Sequence, residues 1–308
     1  MPQLEQAILK TLVYFDIFNY PLTLMEVYKW LNTGKSGYSL IEVEEALNNL
    51  SDKIEAKNGF YFLKGKEANI ETRLQRYSEA EVKFKRAIKF IKLLRFIPFI
   101  KMIAVCNSLS YSNVAKEGDI DLFIIASPNR LWLARFLTVG FLKVLGVRPR
   151  AATKEDALDA NFFLAEDSLN IKSLQLSGGD IYLTYWLNQL APVFNPFNLL
   201  EKFQAANAWV KQTLPNGFGY VMNARRKVGL NWFVKTKRFG LGLLLNYDFW
   251  EKLSQKYQLK IMPQDLKEMM NNDTRVAVNQ NVLKFHREDR RAEYFKKYQE
   301  KLIAYELS

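Results

Sequence analysis

Two aspartates separated by one residue, Asp119 and Asp121, open an apolar run, Asp-Ile-Asp-Leu-Phe-Ile-Ile. In an extended strand residues i and i+2 share a face, so both carboxylates point one way while Leu122 and Ile124 point the other. No Arg or Lys stands beside them in the run. Paired carboxylates repel, and a divalent cation between them removes the repulsion. Mg²⁺ or Mn²⁺, hard ions that take oxygen ligands, suits such a pair. Upstream, the apolar stretch Ile103-Ala104-Val105-Cys106 runs into Asn107-Ser108. Ser108 is expected to cap the following helix, whose first N–H groups favour a phosphate. Paired acids beside a phosphate cradle are the equipment of metal-assisted phosphoryl or nucleotidyl transfer.

A third acid is sought on the next extended apolar run, Leu158-Asp159-Ala160-Asn161-Phe162-Phe163-Leu164-Ala165-Glu166. Alternation puts Asp159, Asn161 and Phe163 on one face. Asp159 stands at the start of the run, as Asp119 does in its own, and takes the role. Asn161 lies deeper as a substrate contact, and Glu166 and Asp167 read as turn residues.

With these residues the chain resembles the nucleotidyltransferase superfamily, the fold of DNA polymerase beta, kanamycin nucleotidyltransferase and the minimal nucleotidyltransferases. The resemblance covers about residues 100–170. The family pattern is Gly-Gly/Ser, a short interval, Asp-x-Asp/Glu, and a third carboxylate on a later strand. Ser108, Asp119 and Asp121 match it, with ten residues between Ser108 and Asp119, and Asn107 stands where the first Gly is expected. The resemblance implies Mg²⁺-dependent transfer of a nucleoside monophosphate from an NTP to an acceptor hydroxyl. Asp119 and Asp121 would hold the metal, Asn107 and Ser108 would grip the triphosphate, and Asp159 would help to activate the acceptor. The acceptor is open among nucleic acid, a protein side chain and a small molecule. The alternative is a module of this fold with little or no turnover that binds nucleotide, nucleic acid or protein partners; Asn107 in place of Gly and the position of the third acid favour it.

The elements that must position these residues are legible in outline. Ile8, Leu9, Leu12, Val13 and Phe15 mark a helix. Thr23-Leu24-Met25-Glu26 and Ser39-Leu40-Ile41-Glu42 are capping boxes that open two more, and residues 52–63 alternate around Asn58-Gly59 as a hairpin. Three helices and a hairpin predict a winged-helix domain over 1–67. Its third helix carries Glu42, Glu44 and Glu45 where phosphates would be met, which favours a protein-contact or structural role over DNA reading. A basic linker helix is expected over 68–100, stopping near Pro98. Its apolar residues alternate with Lys83, Lys85, Arg86, Lys89, Lys92 and Arg95, a pattern open to a membrane surface but more ordinarily packed on the next domain. The nucleotidyltransferase-like core, a mixed sheet with helices, is assigned to 101–175, with Leu131–Val147 as a buried core helix. A basic helical domain is assigned to 176–308, with Tyr182, Tyr185 and Trp186 in its core. The fold class is therefore α+β.

The net charge is +12, carried as −2 over 1–67, +5 over 68–100, zero over 101–200 and +9 over 201–308. The charge suggests an anionic partner, such as the phosphates of the NTP, nucleic acid along the basic residues of 68–308, or an acidic lipid surface; the plainer alternative is that it reflects only the solvated faces of helices. One cysteine (Cys106) and one histidine (His286) exclude a disulfide framework, a Cys/His zinc site and a Cys–His dyad, so any metal must sit on carboxylates. His286 reads as structural. The single buried-looking thiol, the absence of a basic-then-apolar leader, and no apolar run long enough to span a bilayer predict a cytoplasmic protein.

Overall fold

The computed structural model describes residues 1–149, 154–219 and 222–307. It is an α+β fold with twelve α-helices, one three-stranded and one six-stranded sheet among those residues. The N-terminal unit comprises α1 (Gln3–Asp16), β1 (Leu22–Thr23), α2 (Leu24–Lys29), α3 (Leu40–Asn49), β2 (Ile54–Lys57) and β3 (Phe60–Leu63). Both capping boxes form: Thr23 and Glu26, and Ser39 and Glu42, satisfy each other's backbone N–H groups. Asn58 and Gly59 both take positive φ, which lets a two-residue turn follow the strand twist of β2 and β3. This unit does not close its own core. Tyr185 stacks on Tyr14 at 3.8 Å, and Ile181, Leu214, Tyr298 and Leu307 complete the cluster.

Helix α4 (Ala68–Leu94) lays Phe84, Ala87, Ile91 and Leu94 on the central sheet, so its apolar face is packed rather than offered to a membrane. Its cations are not all solvated. Lys83 is 1% exposed and donates to the carbonyls of Lys116 and Gly118 at 2.7 and 2.9 Å and to Asp156 at 2.6 Å. It therefore clamps the turn that delivers Asp119. Replacing Lys83 by Met should cost about 1 to 2 kcal/mol, because Asp156, itself partly exposed, and two part-buried carbonyls lose their donor together. Urea unfolding should show a lower midpoint at unchanged slope; an unchanged midpoint would mean the clamp contributes nothing.

The central sheet is built from β4 (Ile100–Val105), which leads into α5 (Asn107–Ser110), then β5 (Ile120–Ala126), α6 (Leu131–Val144) and β6 (Leu158–Ala165). Strands β4 and β5 are antiparallel, and β5 and β6 parallel, joined through α6. Helix α6 buries Leu131–Ala134, Thr138 and Leu142 but exposes Phe136 and Val144, so it is a half-buried helix rather than the fully buried one expected.

The chain continues through α7 (Ile181–Gln189), β7 (Ala191–Phe194), α8 (Leu199–Ala206), α9 (Trp232–Leu245), α10 (Asp248–Ile261), α11 (Gln264–Met269), β8 (Val276–Val278), β9 (Val282–Phe285) and α12 (Arg291–Ala304). The sheet order is β7-β4-β5-β6-β9-β8. Residues 176–308, expected to be helical throughout, thus supply three of its six strands. These strands are three or four residues long, too short to show a period, and β7 carries Pro192 where an edge strand tolerates a missing N–H. One face of the sheet packs under α4 and α6; the other packs under α7 and α8.

Candidate metal centre

The site lies where β4, β5 and β6 begin or end along one edge of the sheet. Asp121 is in register with Asp159 on the neighbouring parallel strand, and Asp119 precedes β5 on the same face as Asp121. Carboxylate oxygens of Asp119, Asp121 and Asp159 all lie within 4.8 Å of one another, and this group can hold a metal ion. Among the described residues, no salt bridge closes on any of the three. The electrostatics record the crowding. Burial, with Asp119 and Asp159 beside it, pushes the Asp121 carboxyl well above the usual carboxylate range. Burial also raises Asp119, and burial together with Asp119 raises Asp159 to about 6.

Asn107, Ser108, Asp119, Asp121, Asp159 and Asn161 all line one cavity of about 970 Å³. Asn107 has φ +55°, a left-handed conformation that Gly adopts freely and Asn better than most residues. Its side chain is also occupied. Oδ1 accepts from Trp186 Nε1 at 3.0 Å and Tyr182 Oη at 3.3 Å, and the side chain beside Asp121 tempers the rise of that carboxyl. Ser108 lines the cavity but does not cap the helix. Cys106 holds the cap position with no side-chain bond, because α5 starts two residues earlier than expected, at Asn107. Asn161 donates to Asp159 and so orients the third acid.

One facing was misread. Residues Asp121 and Phe123 pair with Asp159 and Phe162, so β6 carries an extra residue between them. This bulge reverses the alternation: Phe162 joins Asp159 and Asn161 along the cavity, and Phe163 turns to the opposite core. Nothing in the sequence marks it.

The cavity wall holds residues that sequence reasoning did not select. Arg135 on α6 bonds Gln258 at 2.6 Å, lies 4.1 Å over the Phe285 ring, and keeps a buried Nε with no hydrogen-bond partner among the described residues. Lys143, Arg148 and Lys154 line the same wall. Trp186 and Tyr185 are buried in cores as expected, and Tyr182 packs against the same cluster as Trp186; Tyr182 and Trp186 also line the cavity. His286 lines it too, edge-on to Phe162, and burial holds its pKa down at about 3, so the ring is neutral. The cations come from α6 and the loop after it, with no local spacing to betray them. The chain matches no protein-family model, no curated protein and no solved structure.

A carboxyl whose folded pKa is raised binds its proton more tightly in the native state, so stability falls as pH climbs from the unfolded value near 4 through about 6. For Asp159 alone the loss reaches roughly 3 kcal/mol. Melting temperature in chelator should therefore drop between pH 5 and pH 7.5 relative to the Asp159→Asn variant, and added Mg²⁺ should raise it more at the higher pH. Equal Mg²⁺ shifts at both would mean that the acids do not bind it.

Proposed function

We propose that the chain is a Mg²⁺-dependent nucleotidyltransferase carrying an N-terminal winged-helix-like unit. The observation that carries the reading is the convergence of Asp119, Asp121 and Asp159 at one end of a large cavity whose wall holds Arg135, Lys143, Arg148 and Lys154. Three hard oxygen donors, raised in pKa by burial and mutual repulsion, fit Mg²⁺ or Mn²⁺. Bound there, the ion would offset the triphosphate charge and polarise the α-phosphate.

The protein's own groups divide the remaining work. Asp119 and Asp121 hold the cation. Arg135, whose buried Nε has no partner among the described residues, and the neighbouring Arg148 and Lys154 would take phosphate oxygens. Tyr182 and Trp186 line the cavity and would give a base an aromatic wall. The acceptor hydroxyl attacks the α-phosphorus as the bond to pyrophosphate breaks, and Asp159, with a pKa near neutrality, receives the hydroxyl proton. The three-helix unit with its small antiparallel sheet supports the winged-helix reading, and the exposed Glu42, Glu44 and Glu45 of α3 favour a protein contact over DNA.

The test is incubation of the intact chain with each NTP labelled at the α-phosphate, plus Mg²⁺ or Mn²⁺ and candidate acceptors: RNA, protein and small hydroxyl compounds. Metal-dependent transfer of label to one acceptor supports the proposal. No transfer with any NTP overturns it in favour of a binding module.

A further inference from the structure

The helical hairpin α9–α10 is amphipathic in the wrong sense for water. Twenty-four large apolar side chains are exposed among the described residues, and twelve of them fall within 232–261. Trp232, Phe239, Leu243, Leu244, Phe249 and Leu253 all stand outward, Trp232 at 76% and Phe239 at 69%. The faces turned to the protein are instead held by polar groups. Arg238 donates to the carbonyls of Arg95, Ile97, Pro98 and Ile100. Glu251 accepts from the backbone N–H groups of Trp132 and Leu133 at 2.9 Å each, and Gln258 donates to the Trp132 carbonyl at 2.8 Å. A helix facing water places these classes the other way round.

We propose that the α9–α10 surface lies on an anionic lipid bilayer. Lys235, Lys237, Lys252, Lys256 and Lys260 are exposed among the outward aromatics, and 232–261 carries six Lys and Arg against two Asp and Glu. A second copy seated on the same face would set lysine against lysine, whereas anionic headgroups meet the cations while the rings enter the acyl boundary. Trp232, Tyr247 and Trp250 are the side-chain types that sit at headgroup depth. Each helix has fourteen residues, and no described helix is long and apolar enough to cross a membrane, so the hairpin lies in the interface. Phe136, Tyr257 and Ile261 are exposed and also line the cavity, so its mouth opens beside the lipid.

The test is co-sedimentation of the full chain with vesicles of phosphatidylcholine alone and of phosphatidylcholine mixed with phosphatidylglycerol. The variant is Trp232→Ser/Phe239→Ser/Leu243→Ser, three exposed positions whose loss should leave the far-ultraviolet spectrum unchanged, which is checked first. The parent should pellet with the mixed vesicles and not with phosphatidylcholine alone, and the triple variant should bind at least about tenfold more weakly. A parent that stays in solution with both vesicles overturns the proposal; if it is then a dimer that the variant splits, the surface belongs to a second copy. Equal pelleting of parent and variant overturns it too, since binding would rest on cations elsewhere.

Discussion

Asp121→Asn should lower metal-dependent turnover at least about a thousandfold while raising the melting temperature of the metal-free protein by about 2 to 4 °C. The two effects have one cause. Asp121 sits between Asp119 and Asp159, in register with the latter, and burial already holds its carboxyl well above the usual range. In the absence of a cation the trio is a concentration of like charge, and an amide of the same shape relieves it. With a cation present, the same substitution removes one of the two carboxylates placed to hold it. Asp119→Asn should behave alike, with a smaller gain in stability: burial leads the rise of both carboxyls, but Lys154 and Lys83 draw Asp119 down whereas Asp119 and Asp159 push Asp121 further up. Kinetics together with melts in chelator and in Mg²⁺ separate the outcomes. A variant that retains turnover, or that is destabilised without metal, would remove the acids from the metal role.

Asp159→Ala should lower turnover at least about a hundredfold and leave Mg²⁺-NTP affinity within about threefold of the parent. Binding rests on Asp119, Asp121 and the cationic wall, whereas Asp159 is placed to receive the acceptor proton. The acid limb of the parent's rate profile should fall at or below pH 6, since a base must be ionised to act and a bound cation can only lower its pKa. Asn161→Asp should hurt rather than help. The amide donates to Asp159, and a fourth carboxylate in its place would trade that bond for repulsion. A fully active Asp159→Ala protein would place the base outside this cluster.

What could be read from the sequence was local. The capping boxes at Thr23 and Ser39 and the Asn58-Gly59 turn each specify a few residues of backbone, and each formed. Asp119 and Asp121 were legible because strand periodicity alone fixes their shared face, and Asp159 because it begins its strand as they do. The misreadings share the opposite cause. The extra residue in β6 that swaps Phe162 for Phe163 is a backbone irregularity with no Gly or Pro to announce it. Lys83 looked like one of several solvated lysines on α4, and only the fold brings Gly118 and Asp156 to its ammonium group. Arg135 sat in an apolar helix with no motif; its place on the cavity wall depends on α10 and β9, more than a hundred residues away. Strands β7, β8 and β9 were missed because elements this short owe their form to the sheet they join.

The most direct test of the central claim is release of pyrophosphate from an NTP by the intact chain in the presence of acceptor, first with the divalent cation chelated and then with Mg²⁺ restored. Release should be absent in chelator, recover on adding Mg²⁺, and fail to recover in Asp121→Asn. Release that persists in chelator, or that Asp121→Asn performs as well as the parent, would contradict that claim.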